Sequence, residues 1–201
     1  MPKRIMFRKY MYLAASLAVL LLVLVLPACM ETKAAKEEES TAGMGQEALI
    51  KKGEYLVTIM GCNDCHSPKR MGPNGPEIIP ELMLSGYPAD REIIEFEDGL
   101  IGQGFALLYP DLTAGIGAWG TSFAGNLTPH ETGIGNWTEE QFKKALTEGK
   151  YKGMDGGRML LPPMPWINYK DMTDEDLKAV FAYLMSIPPV NNIVPTAIPP
   201  K

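Results

Sequence analysis

The chain has 201 residues, of which 46% are hydrophobic, with 19 Lys and Arg against 24 Asp and Glu. That is enough for one ordinary domain, and a net charge of −5 offers little to neutralise a run of phosphates, which argues against a nucleic-acid partner. Three cysteines and two histidines are too few for a disulfide scaffold, or for a closed four-ligand zinc site with ligands to spare, so each needs its own account.

Lys3, Arg4, Arg8 and Lys9 precede an uncharged apolar run over 11–26, followed by Pro27, Ala28 and Cys29. This basic, apolar, cleavage-site order is that of a secretory signal, and residues 1–28 are read as one. The run is shorter than the roughly 20 apolar residues of a spanning helix, which leaves an uncleaved anchor as the alternative. Leu26–Cys29 resembles the lipobox of bacterial lipoproteins, in which Cys29 would be lipidated and become the new N-terminus; the alternative is an incidental thiol. Residues 29–45 are charged, small and without apolar periodicity, as a solvated tether is. The expected location is the extracytoplasmic, periplasmic side of a membrane, held there by lipid rather than by charge.

Within 46–60, Leu49, Ile50, Gly53, Leu56, Val57 and Met60 recur at helical spacing. Gly53 costs that helix about 1 kcal/mol relative to Ala, so a close crossing with another helix, with Tyr183 over Gly53, is expected to compensate. The helix runs into Cys62-Asn63-Asp64-Cys65-His66, a C-x-x-C-H, the attachment signature of a c-type haem. Cysteines at i and i+3 share one face of a helical turn, so both sulfurs can form thioethers with the vinyl groups of one porphyrin while His66 reaches the iron. A redox dithiol would want a thioredoxin-like context, and zinc two further ligands; beyond Cys62, Cys65, His66 and Cys29 the chain offers only His130, so zinc would need carboxylates. One motif means one covalent haem c.

Residues 67–125 are rich in Gly and Pro and lack a helical period. Segments 93–97 and 105–109 flank Asp98-Gly99 and are read as short strands of a hairpin-like insertion. Gly115–Gly120 has closely spaced glycines but neither the leading strand nor the following helix of a phosphate loop, and is read as a turn beside the haem pocket. Thr138-Glu139-Glu140-Gln141 is a capping box opening a helix with Phe142, Ala145 and Leu146 inside and Gly149 as its stop.

The iron's second axial position calls for a thioether, an imidazole or a vacancy. Met164 lies among Pro162, Pro163 and Pro165, which stiffen the backbone and keep it out of a helix or central strand, and it is the expected ligand. Met154, Met159 and His130 are the alternatives, His130 reading otherwise as a loop histidine. Met60 and Met185 read as packing residues. Thr173-Asp174-Glu175-Asp176 opens the last helix, with Leu177, Val180, Phe181 and Leu184 as its stripe and Pro188-Pro189 beyond its end. Residues 191–201 are read as a C-terminal tail.

With Cys62–His66, Asn126-Leu127-Thr128-Pro129, 131–138 (ETGIGNWT), Met164-Pro165 and 172–177 (MTDEDL) in this order, residues 46–190 resemble class I cytochrome c domains. They look most like the domains of cytochrome subunits that accept electrons from membrane-associated alcohol and gluconate dehydrogenases. The resemblance implies a mainly α cytochrome c fold with N- and C-terminal helices packed together, long Gly/Pro-rich loops and a possible small β-hairpin insertion. It also implies Cys62 and Cys65 bonded to haem, His66 and Met164 on iron, and Asn126 and Trp137 around the pocket. Those subunits usually carry several haem motifs, whereas this chain has one, and the stretch 77–120 looks longer than its counterpart.

The expected function is single-electron transfer by a membrane-tethered carrier or respiratory-complex subunit, with no bond chemistry of its own. Its expected partners are a dehydrogenase or quinol-oxidising complex upstream and an oxidase or second cytochrome downstream. The alternative is a haem sensor or small peroxidase-like enzyme with an open distal site.

Overall fold

A computed structural model of the chain describes residues 45–94 and 99–200. The expected signal, Cys29 and all of the tether but Gly45 lie outside the described residues. Among the described residues, five α-helices, α1 (Gln46–Ile59), α2 (Cys62–His66), α3 (Gly99–Gly102), α4 (Glu139–Glu148) and α5 (Asp174–Leu184), are joined by two small sheets and long connections. Strands β1 (Lys69–Gly72) and β2 (Gly75–Ile78) form one antiparallel pair, and β3 (Leu107–Leu108), β4 (Ala114–Gly117) and β5 (Gly120–Phe123) form an antiparallel sheet in the order β3-β4-β5. Among the described residues, no helix is long and apolar enough to cross a membrane.

The main core joins Val57 of α1 to Phe142 and Leu146 of α4 and to Leu177, Val180 and Leu184 of α5, with Leu84, Ile134 and Ile187 from the connections. Helices α1 and α5 cross at Gly53, where a Cβ would lie 2.0 Å from the Ala179 carbonyl oxygen and 2.7 Å from Cβ of Tyr183. The expected crossing is there, and the Ala179 backbone comes even closer than Tyr183. Lys52, one residue earlier, pairs with Glu175 at 2.6 Å and Asp176 at 2.8 Å in the first turn of α5, so charge as well as packing fixes the crossing.

Local signals set the helix ends. The Thr138 hydroxyl accepts from the Gln141 amide while the Gln141 side chain accepts from the Thr138 amide, and Gly149 ends α4 at φ 67°, a left-handed conformation suited to glycine. The Thr173 hydroxyl caps α5 through the Asp176 amide at 3.1 Å, and α5 ends at Leu184, short of the two prolines.

The inserted region departs from its expectation. Ile93 and Ile94 join no strand, residues 95–98 lie outside the described residues, and Leu107–Leu108 pairs instead with 115–116. The cause is a pair of tyrosines: the Tyr87 hydroxyl donates to the Glu92 carbonyl at 3.1 Å and the Tyr109 hydroxyl accepts from the Ile94 amide at 2.9 Å, so side chains take up backbone groups that a ladder would have used. Tyr87, Tyr109, Ala114 and Ile116 form a second small core, with Tyr87 edge-on to Tyr109 at 5.7 Å and against Phe123 at 4.8 Å. Gly115–Gly120 is thus no simple turn: it carries most of β4, and the β4–β5 hairpin closes where Gly117 faces Gly120.

The segment read as a tail is also corrected, since it is built into the body. The buried Asn192 side chain donates to the carbonyls of Ser85 at 2.7 Å and Tyr87 at 2.9 Å and accepts from the Ala89 amide at 2.8 Å. Ile198 exchanges backbone hydrogen bonds with Thr121.

Candidate haem site

Helix α1 hands over to the single turn α2 through Gly61, whose φ of 69° lets the chain reverse between them. Cys62 and Cys65 are half-buried, and Cys62 packs against the main core. Burial pushes the Cys62 thiol up to about 11, and burial with the nearby Asp64 carboxylate raises Cys65 as well. A reactive redox pair needs the opposite shift, so these thiols do not have the character of a dithiol switch.

His66 has its orientation set from outside the helix. Its Nδ1 lies 2.7 Å from the Gly125 carbonyl oxygen, which can only accept, so the proton sits on Nδ1 and the Nε2 lone pair is left for a metal. Burial holds the imidazole below its ordinary range, the Gly125 bond opposing that in part. The carbonyl of His66 accepts from the Gly86 amide at 2.8 Å. Ser67 bonds Asn63 at 2.8 Å through its hydroxyl, which also accepts from the Leu84 amide at 2.9 Å. Lys69 donates to the carbonyls of Asp64 at 2.7 Å, Ser67 at 3.0 Å and Asp111 at 3.0 Å, setting a cation at the carbonyl end of the turn.

Asn126 does not offer a free polar group. Its Oδ1 accepts from the amide and hydroxyl of Thr128 at 2.9 and 2.7 Å, and its Nδ2 donates to the Val190 carbonyl at 2.9 Å and the Thr132 hydroxyl at 3.2 Å. Its role here is to hold the loop beginning at Gly125, and through Gly125 the ring of His66. Trp137 is half-buried against the main core beside the α4 cap.

Met164 packs half-buried against the core that Cys62 borders. Its loop is fixed behind by the Leu160 amide donating to the Gly149 carbonyl at 2.6 Å. Ahead, the Trp166 ring lies where a Cβ on Gly149 would come within 2.4 Å, and the Tyr169 hydroxyl donates to the Met60 carbonyl at 3.0 Å. The alternatives fare less well: Met154 and Met159 are 54% and 45% exposed, and His130 Nδ1 is engaged at 2.9 Å with the Thr132 hydroxyl in a tight turn.

These residues fit haem c. Two thiols and an imidazole with a free Nε2 share one turn, and Met60, Met83, Leu127, Trp137, Met164 and Met172 remain only partly buried along the core beside it, apolar surface that a flat apolar group would cover. Bare zinc fits poorly, because among the described residues no cluster of three or more His, Cys, Asp and Glu could hold an ion. Gly125, Ser67 and Lys69 are contributors that sequence reasoning missed. Gly125 acts through its backbone and leaves no signature except its place just before Asn126.

Residues 50–188 match the family model described as cytochrome c. The chain is 30% identical over 153 residues to the fructose dehydrogenase cytochrome subunit of Gluconobacter japonicus, covering 76% of this chain and 24% of that protein. It is 33% identical over 140 residues to the gluconate 2-dehydrogenase cytochrome c subunit of Pantoea cypripedii, covering 69% of this chain and 23% of that one. It is 37% identical over 155 residues to the cytochrome c subunit of a quinone alcohol dehydrogenase from Gluconacetobacter polyoxogenes, covering 77% and 24%. The chain thus spans about a quarter of the length of each of these relatives. A turn carrying both thiols and an oriented imidazole, against a core with apolar surface to cover, is what that likeness predicts, and the chain belongs to the cytochrome c family.

Proposed function

We propose that this chain carries single electrons between a dehydrogenase and a further redox protein, using one haem c bonded to Cys62 and Cys65 and ligated by His66 and Met164. The observation that carries the reading is the His66–Gly125 contact, which readies Nε2 for iron within the attachment turn. Haem c supplies a one-electron ferric/ferrous couple, and a methionine ligand favours the ferrous form relative to bis-histidine ligation. The chain's own residues bind and orient the group and exclude water. Gly125 and Asn126 keep the imidazole from turning, while the proline-stiffened loop keeps the Met164 thioether from swinging away. Fixed ligands keep reorganisation small when the electron moves. The names of the relatives support a dehydrogenase as the electron donor. The segment over 1–28, Cys29 and the 29–45 tether support a lipid-held protein on the extracytoplasmic, periplasmic side of a membrane.

The test is rapid mixing of the ferrous, haem-loaded chain with a one-electron acceptor and, separately, with carbon monoxide. Fast oxidation with slow carbon monoxide binding is the expected result. Fast carbon monoxide binding together with peroxide turnover would instead favour a sensor or small haem enzyme with an open distal site.

A further inference from the structure

Both prolines that precede Met164 rest on the inserted sheet. The segment 161–165 contains three prolines, so it has few amides with which to secure itself: the Met164 amide meets the Leu161 carbonyl at 3.2 Å, and the Pro162 carbonyl takes its donor from outside the segment. Ser122 of β5 supplies one. Its buried hydroxyl lies 2.5 Å from the Pro162 carbonyl oxygen, and it accepts from the Trp119 indole N–H at 3.2 Å, which leaves its own hydrogen for Pro162. The Gly115 carbonyl, at 3.3 Å, is the more distant alternative acceptor. Next along the loop, Pro163 packs on β4 at Gly115, where a Cβ would come within 2.9 Å of the Pro163 ring and 3.2 Å of the Leu108 side chain. The sheet is backed in turn by the pairing of Thr121 with Ile198.

We infer that Ser122 and Gly115 are positioning residues for the Met164 loop, and that the inserted sheet sets how readily Met164 leaves the iron. The inference rests on the reading of Met164 as axial ligand. For the thioether to swing away, Pro162 must give up its donor and Pro163 must lift from the sheet, so weakening either contact raises the population with a vacant sixth position. Losing one buried hydrogen bond corresponds to about a tenfold change in that population.

The experiment uses the full haem-loaded ferric chain and reads the rate of cyanide binding, which depends on methionine departure, together with the weak red sulfur-to-iron band. S122A is expected to bind cyanide about tenfold faster than the parent, and G115A, whose added Cβ pushes on the Pro163 ring, also faster than the parent, both keeping the band at neutral pH. Ser122→Thr, which retains the hydroxyl, should stay nearer the parent. T138A, which weakens the α4 cap away from the loop, should leave the rate unchanged. Parent-like rates in both S122A and G115A would overturn the inference, as would an equal acceleration in T138A. If S122A fails to load haem, G115A and Ser122→Thr carry the same test. M164L separates the two readings: loss of the band, with a fast rate that S122A no longer increases, supports both. A band that survives M164L refutes Met164 as the ligand and the positioning role with it, whereas a band lost in M164L beside parent-like rates in S122A and G115A refutes the positioning role alone.

Discussion

Around Val57, Phe142 and Val180, helix faces make a core bordered by side chains that stay half-exposed, among them Met60, Cys62, Leu127, Trp137 and Met164. Around Tyr87, Tyr109 and Ile116, short strands and loops make a smaller core that completes itself: Tyr87 is fully buried, its rings pack edge to face, and its neighbouring backbone groups are met by hydroxyls and by Asn192. The first region leaves its apolar margin beside the attachment turn; the second also has uncovered apolar side chains at its edge, Leu107, Leu108 and Phe123 among them, but its buried polar groups are met from within. A prosthetic group belongs where the protein leaves surface uncovered, and a self-sufficient region beside it can serve as a platform for the loop that must be held still.

The largest expected effect breaks the first region alone. In C62A/C65A, which cannot form the thioethers, cooperative thermal unfolding of the helical core, followed by far-UV circular dichroism, should be lost, because surface meant for haem stays in water. A haem-free variant that unfolds in a single sharp transition would show that the helical core is as self-sufficient as the other. Next is G53V. Its side chain would collide with the Ala179 carbonyl, forcing α1 and α5 apart, and guanidinium titration of the haem-loaded protein should show a loss of about 3 kcal/mol.

N192A acts on the other region. It leaves the Ala89 amide and the Ser85 and Tyr87 carbonyls without their side-chain partner and should cost about 2 kcal/mol by the same titration, with an unaltered haem spectrum. A changed spectrum would mean that the two regions are less separate than their packing indicates.

The smallest effect is pH-dependent. Burial alone would push the Asp111 carboxyl up, but the Arg91 ion pair at 2.6 Å and hydrogen bonds from Thr113 outweigh it and hold the group below its ordinary 3.8. A carboxyl with a depressed folded pKa contributes stability that is present above the unfolded value and lost as pH falls through the folded one. D111N should therefore be less stable than the parent at neutral pH, and the gap should close below about pH 4. A gap that stays constant into acid would assign the effect to packing rather than charge.

Much of the helical region is legible in the sequence because its causes are local. The spacing from Leu49 to Met60, the Thr138–Gln141 box and the C-x-x-C-H each carry their geometry within a few residues. Gly53 even signals a crossing between elements far apart in the chain, since a glycine in a good helix needs a reason. The sheet region is illegible for the converse reason. All four residues of β4 are buried, so the alternation that marks a half-buried strand is absent, and Leu107–Leu108 is too short to show a period. The segment before residue 95 is apolar enough for a strand, but its backbone is claimed by the hydroxyls of Tyr87 and Tyr109. Asn192 looks like a polar residue in a proline-rich tail until the three backbone groups it joins are seen. At the site, the attachment residues are readable, while the carbonyl that orients His66 is not, because a backbone acceptor has no residue type.

The most direct measurement is the optical spectrum of the oxidised and reduced full chain, matured with its haem, beside M164L. Ligation by His66 and Met164 predicts a low-spin spectrum with the weak red sulfur-to-iron band in the oxidised parent, and loss of that band in the variant. A high-spin parent, or a band indifferent to the substitution, would contradict it.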